Sequence, residues 1–473
     1  MDQNVAAMSN INEHAAPRFW KLGLAYALMI TLSAGFYLLV RRYGESLGSQ
    51  AGEAKAPAAI AAHNDVLLHV LLALVAIILL GRWLGKAFVY FGQPRVIGEM
   101  VAGIVLGPSL LGRIWPEAGA YILPQSVAPA LGIIAQIGVI LYMFLVGLEL
   151  NGDSLRSRAH ATVAISHASI ITPFLLGAVL ALFLFRGYAP AGQSFTSFSL
   201  FMGIAMSITA FPVLARILTD RRIDKTDLGV VALSCAAIDD VTAWCLLAVV
   251  VGVVQSEVNG ALQTIVLAVA YVAVMLLFVR PVFHHYFGPT GAKHPPRRMA
   301  VWVLVALLLS AFTAEWIGIH AIFGAFLLGA IIPHESHVAR DFQEKLEDIV
   351  KILLLPAFFA YTGMRTQIGL VTGWQSWALC AVIILVATIG KFGGTIVAAR
   401  WTGLSWRMSA ALGVLMNTRG LMELIVLNVG LDLGVISPEL FAMMVIMALV
   451  TTMATTPILM LLGEPRTRPA AGA

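Results

Sequence analysis

Of the 473 residues, 59% are apolar and only 12% charged, and the mean hydropathy is +0.88, whereas a soluble domain carries roughly 25% charge. That composition excludes a soluble or disordered chain and points to an α-helical protein that crosses a membrane many times. A net charge of +5 calls for no nucleic acid, because basic residues in such a chain mark its inner loops, and three cysteines that all lie in apolar runs exclude a disulfide framework.

Apolar runs long enough for a hydrocarbon core of about 30 Å predict fourteen helices, over 19–40, 66–80, 96–112, 130–150, 161–185, 198–218, 228–254, 261–279, 299–314, 318–333, 350–364, 375–399, 407–430 and 439–462. The first is preceded by Arg18 and Lys21 and followed by Arg41 and Arg42, which fits an uncleaved extra helix in an N-terminal extension, 1–65, better than a signal peptide. With the short tail 463–473 placed in the cytoplasm, 22 of the 30 lysines and arginines fall on the inner side and 6 on the outer. That bias sets the orientation of a multi-pass protein of the cell membrane.

The exchange of sides at each span divides the membrane domain, 66–462, into a first half (66–254), a linking helix (261–279) and a second half (299–462). Corresponding helices of the two halves then run in opposite directions. Gly103 to Gly107 is echoed by Gly324 to Gly329, and Val146-Gly147-Leu148-Glu149 by Thr362-Gly363-Met364-Arg365. The expected fold is all-α and polytopic, two inverted six-helix repeats with about 13–14 membrane helices.

Span 198–218 carries Thr209-Ala210-Phe211-Pro212 at its middle, where proline cannot donate a helical hydrogen bond. Its counterpart 407–430 carries Asn417-Thr418-Arg419-Gly420, a poor helical sequence. Taken singly, these are a proline kink and a packing glycine; at matching places in inverted halves they are the signature of a transport site. Between them, Leu228 to Val254 runs 27 residues with no charge except Asp239 and Asp240. A charge at that depth costs roughly 2.5–3.5 kcal/mol, so the pair requires a function such as an ion or proton path. Neighbours on a helix point about 100° apart, so one aspartate can face a cavity while the other reaches Lys391 in span 375–399.

Gly98-Glu99 through Leu106-Gly107-Pro108, Phe144 to Glu149, Ser207 to Arg216, Asp239-Asp240, Gly390-Lys391 and Asn417 to Glu423 together resemble the monovalent cation:proton antiporter-2 family over residues 66–462. Ala164 to Ile170 and Glu423 to Asn428 resemble its plant and yeast cation/proton exchangers. The resemblance implies a homodimer in which a core with two crossed, broken helices moves against a dimerisation domain, exchanging sodium or potassium for protons by alternating access. It implies Asp240, with Asp239 and Thr209, as the seat of the transported cation, Asp240 as the proton-exchanging group, and Lys391 as the charge partner. Thr209, Pro212, Asn417, Thr418, Arg419 and Glu423 then belong to the broken-helix site. The plant-type exchangers tend to carry Asn in place of Asp239; an Asp-Asp pair with a lysine resembles the electrogenic sodium/proton members, which implies a net current.

No cofactor is expected. The glutathione-gated members carry a nucleotide-binding regulatory domain, but no G-x-G-x-x-G occurs here and only eleven residues follow Leu462. The rival readings are a cation channel and an organic-anion symporter of related fold. An enzyme is not expected, since an intramembrane aspartyl protease needs carboxylates from two helices around one water. His167, His320, Glu99, Glu149 and Glu315 also read as packing, pairing or solvated residues, and Arg419 and Glu423 can pair across one helical turn.

Overall fold

The computed structural model describes residues 58–149, 159–255, 258–287, 297–333 and 336–462, together with Thr31. Apart from Thr31, the expected helix 19–40 lies outside the described residues, as do the tail 463–473 with Arg466 and Arg468 and the loop bases Arg156, Arg158 and Lys293. The chain divides between Asn64 and Asp65, and the second unit holds everything that follows.

The first half contains α1 (Ala58–Tyr90), α2 (Arg95–Leu106), the short α3 (Leu111–Ile114) and α4 (Pro116–Ile122), then α5 (Ala128–Glu149) and α6 (Ala159–Tyr188). Next come α7 (Phe195–Ser207), α8 (Phe211–Asp220) and α9 (Asp227–Gln255). The linking segment is α10 (Val258–Val274), which passes through a π-helical stretch, Met275–Val279, into α11 (Arg280–Phe287). The second half contains α12 (Arg297–Ile317), α13 (Ala321–Ile331), α14 (His337–Ile349), α15 (Leu355–Arg365), α16 (Gly373–Trp401), α17 (Trp406–Met416), α18 (Leu421–Asp432) and α19 (Pro438–Leu461). Serines fix four of the starts. Ser194, Ser336, Ser405 and Ser437 each accept the backbone N–H three residues on, opening α7, α14, α17 and α19, which satisfies a donor the helix cannot.

Ten described helical stretches are long and apolar enough to cross a membrane, or eleven with the bent pair α17 and α18. Every expected run from 66 onward is helical, but two are too short to count. The run 318–333 forms only the 11 residues of α13, because Gly318 to His320 is a turn. The run 350–364 is the apolar end of a longer, charged helix that begins at His337 and includes a π-helical turn at Val350–Leu354. The surface has the reverse of a soluble protein's pattern. Leu67, Leu71, Val75, Leu79 and Trp83 lie on one stripe of α1 and are each more than half exposed, as a lipid-facing stripe requires.

The two halves interlock. Helix α15 packs on α2, and α13 packs on α5, so each half lends the other the counterpart of its own helix. Both crossings rest on glycine. A Cβ on Gly103 would lie 2.1 Å from the Phe359 carbonyl oxygen, and one on Gly363 would lie 2.0 Å from the Gly103 oxygen. At the twin crossing, a Cβ on Gly147 would meet the Phe326 oxygen at 2.4 Å, and one on Gly329 the Phe144 oxygen at 2.3 Å. Backbones this close are how membrane helices gain packing without a hydrophobic driving force. Gly363→Leu is expected to abolish the monodisperse species in size-exclusion chromatography of detergent-extracted protein. A wild-type profile would show that this contact is dispensable.

Helices α6 to α9 and α16 to α19 form a second group in which α6 packs on α16, α7 on α6, and α17 on α16. Here too the halves match. The Phe174 ring of α6 fills the space over Gly203 of α7, and the Phe392 ring of α16 fills that over Gly413 of α17. Counted from these phenylalanines, Pro173 in the first half stands where Lys391 stands in the second.

Candidate functional site

Both expected breaks are present. Helix α7 ends at Ser207, Ile208 to Ala210 are extended, and Pro212 sits in the first turn of α8, where its missing N–H costs nothing. The second break runs from Asn417 to Gly420, and α17 and α18 meet there at 45°. The two unwound segments cross and touch through the main chain, where Ala210 N–H donates to the Thr418 carbonyl at 2.9 Å. The Met416 carbonyl lies 3.1 Å from Thr209 Oγ1, as an alternative acceptor for its one proton.

A broken helix leaves carbonyls of its last turn unpaired, with a partial negative charge at that end. Two cations meet those of α7. Arg419 donates from Nη1 to the Ala205 carbonyl at 2.8 Å and from Nη2 to that of Met206 at 2.6 Å, and Lys391 Nζ donates to that of Ser207 at 2.5 Å. Both side chains are fully buried. Arg419 also pairs with Glu423, Nη1 to Oε2, at 3.0 Å. Thr452 of α19 fixes the break from the other side, accepting the Arg419 N–H at 2.8 Å and donating to its carbonyl at 2.6 Å.

The two aspartates of α9 have different surroundings. Asp239 is saturated: Oδ1 accepts from Ser166 Oγ at 2.5 Å, and Oδ2 accepts from Ser169 Oγ at 2.8 Å, Thr209 Oγ1 at 2.9 Å and Lys391 Nζ at 2.9 Å. Asp240 is only 2% exposed, yet its Oδ2 has no hydrogen-bond partner among the described residues. The same holds for Asn417 Oδ1 and Thr418 Oγ1 at the second break. Buried oxygens without donors are costly, and a proton or a cation is what such oxygens accept.

Asp239, Lys391 and Thr209 are thus brought together, and Arg419 joins them through the end of α7. Pro212 only shapes the break. Asn417 and Thr418 supply oxygens, while Glu423 faces Arg419. Among the described residues no three or more His, Cys, Asp or Glu side chains converge as a metal cluster. Two buried carboxylate oxygens of the described residues lack a donor, Asp240 Oδ2 and Glu423 Oε1, and Glu423 already faces Arg419. A single free carboxylate such as Asp240 suits a singly charged ion better than Ca²⁺ or Mg²⁺, which gather several carboxylates.

Ser166, Ser169 and Thr452 were not among the expected site residues. The two serines lie in the Ala164 to Ile170 stretch that carries the likeness to plant and yeast exchangers, and their i, i+3 spacing puts both on one face of α6. Of the secondary expectations, Glu99 pairs with Arg95 at 3.3 Å, and the side chain of Glu149 lies outside the described residues. His167 Nδ1 lies 2.8 Å from the Val163 carbonyl of its own helix, with an exposed ring. Glu315 is more than solvated, since it accepts the Ala321 N–H at 2.7 Å beside the capping ring of His320. Farther along α18, Arg365 of α15 pairs with Asp432 at 2.6 Å and donates to Asn428 Oδ1 at 3.1 Å, and Asn428 donates to Thr362 Oγ1 at 2.9 Å.

The sequence profile of the family described as sodium/hydrogen exchanger, transmembrane, matches residues 70–461. The chain is 46% identical over 398 residues to the Na⁺/H⁺ antiporter NhaS4 of Synechocystis sp., covering 84% of this chain and 97% of that one. It is 39% identical over 399 residues to the cation/H⁺ antiporter 17 of Arabidopsis thaliana and 34% over 377 residues to the K⁺/H⁺ antiporter 1 of Saccharomyces cerevisiae. These matches take in 84% and 77% of this chain but only 48% and 43% of those longer proteins. Among solved structures, that of the sodium proton antiporter MjNhaP1 from Methanocaldococcus jannaschii superimposes with a TM-score of 0.63. It covers 84% of this chain and all of that one, at 15% identity, a likeness of fold alone.

Proposed function

The chain belongs to the sodium/hydrogen exchanger family, and from that premise we propose that it exchanges a monovalent cation, sodium or potassium, for protons, with Asp240 as the shared seat. One observation carries the assignment. Asp240 is a fully enclosed carboxylate whose Oδ2 lacks a donor, beside a neighbouring carboxylate already neutralised by Lys391. A proton and a cation cannot occupy the same oxygen, so loading one expels the other. Thr209 stands next to the seat, its hydroxyl committed to Asp239, and Asn417 and Thr418 offer neutral oxygens from the second break.

Exchange further requires that the seat open to each side in turn. The helices around the crossing, α6 to α9 and α16 to α19, pack chiefly on one another, and α2, α5, α13 and α15 form the other group. Movement of the first group against the second accomplishes alternation, and it must part the bonds of Arg365 and Thr362 to α18. The domain plan that accompanies this reading is an N-terminal extension over 1–65, halves 66–254 and 299–462 joined by 261–279, and a cytoplasmic tail 463–473. The working unit is a homodimer in the cell membrane.

The test is proton movement in everted vesicles on addition of sodium, potassium, lithium or rubidium salts, at two pH values. The expected result is dequenching of a pH-sensitive dye with sodium or potassium, absent from vesicles without the protein. Cation flux with no proton movement would identify a channel instead, and proton movement that depends on an organic anion a symporter.

A further inference from the structure

The two serines of α6 have no part in the exchange described so far, yet they are aimed at its centre. Ser166 and Ser169 are fully buried. Ser166 Oγ is the donor on Asp239 Oδ1, and Ser169 Oγ is one of three donors on Oδ2. Ser169 Oγ also accepts from Lys391 Nζ at 3.5 Å, and the Ser166 carbonyl, 2.9 Å away, is the alternative acceptor for its one proton. The contrast with Asp240 is complete: every oxygen of Asp239 has a donor, whereas Asp240 Oδ2 has none.

We propose that Ser166 and Ser169 are positioning residues that hold Asp239 on Lys391 and out of the coordination shell of the transported cation, so that the ion meets one carboxylate and not two. The consequence is a specificity and release device. A single carboxylate with neutral oxygens binds a monovalent ion weakly enough to let it go. Two adjacent carboxylates would hold it longer and slow its departure. The charged groups around this point are few. They are Lys391 from α16, Arg419 from the second break, Glu423 from the first turn of α18, and Asp240 on the same helix. Helix α6 presents only neutral hydroxyls to Asp239, its exposed His167 being bonded to its own backbone. The pull of Lys391 alone does not occupy Oδ1; that oxygen is held by Ser166.

The inference rests on Asp240 as the cation's seat, and the two can fail separately. Ser166→Ala/Ser169→Ala protein in proteoliposomes is assayed for cation/proton exchange as a function of cation concentration, beside Asp240→Asn. The expected result is a KM for the cation several-fold below wild type, with a lower maximal rate, because the freed Asp239 now competes for the ion. An unchanged KM overturns the proposal whatever happens to the rate, since a lower rate alone signals fewer intact molecules. Should the double variant not accumulate in the membrane, Ser166→Ala, which removes the side-chain donor to Oδ1, is read in the same way. Exchange by Asp240→Asn at the wild-type rate overturns the assignment of the seat, and with it this inference. A silent Asp240→Asn with an unchanged KM in the serine variant overturns the inference alone.

Discussion

Asp240→Asn reduces exchange to the background of vesicles lacking the protein, while the variant accumulates in the membrane at the wild-type level. The substitution keeps the size and planarity of the side chain and removes its charge and its capacity to take a proton. A neutral amide neither attracts a cation into a buried site nor exchanges one for H⁺. Folding is spared because Asp240 Oδ2 supports no hydrogen bond that would be lost, whereas Asp239 carries bonds that tie α9 to α6, α16 and the first break. The measurement is dye dequenching in everted vesicles alongside immunodetection of the protein. Dequenching at the wild-type rate would remove Asp240 from the mechanism.

Arg419→Met, by contrast, acts on stability. Its guanidinium is fully buried and serves three groups at once, Glu423 and the carbonyls of Ala205 and Met206. Removing one member of a buried ion pair costs about 3–5 kcal/mol because the other is left as a stranded charge, and each freed carbonyl adds about 1–3 kcal/mol. A protein with roughly 5–15 kcal/mol of stability in all does not absorb such a loss. The expected outcome is little or no folded protein after detergent extraction, and a partial recovery in Arg419→Met/Glu423→Gln, where the stranded charge is gone but the carbonyls remain unmet. Equal losses in the single and double variants would show that the carbonyls, not the pair, carry the cost. Wild-type thermal stability of Arg419→Met would dismiss the capping role altogether.

How much of this could be read in advance depended on whether a residue's partner was encoded nearby. That Asp239 and Asp240 face different ways was legible from helix geometry, because adjacent side chains diverge and a buried lysine must find one of them. The break at Thr209 was legible from Pro212, but the chain uses that proline to begin α8, not to end α7, so the opening lies at Ile208. The serines were hidden for a different reason. A hydroxyl in an apolar helix usually bonds to its own preceding turn, as Thr395 does to the Lys391 carbonyl and Thr451 to that of Met447, so its presence signals nothing. Only the fold shows that Ser166 reaches across to α9 instead. Arg419 could be foreseen as a partner of Glu423, but its carbonyl partners are main chain from a helix of the other half. The expected spans at α13 and α15 are helical but shorter or more charged than the other apolar runs, because the turn at Gly318 to His320 trims one and the charged α14 leads into the other.

The glycine crossings bear on how such a chain is made. The close-approach face of α2 fits the backbone of α15, so while the first half is being synthesised that face has no mate. It stays uncovered until Leu355 and the residues after it have been inserted, which at about 5–20 residues per second takes on the order of ten seconds or more. The helices of the first half are therefore an intermediate that must be kept from pairing wrongly, and not a module that can be detached. A ribosome that stalls in the linking segment leaves α2 and α5 each presenting glycine to lipid.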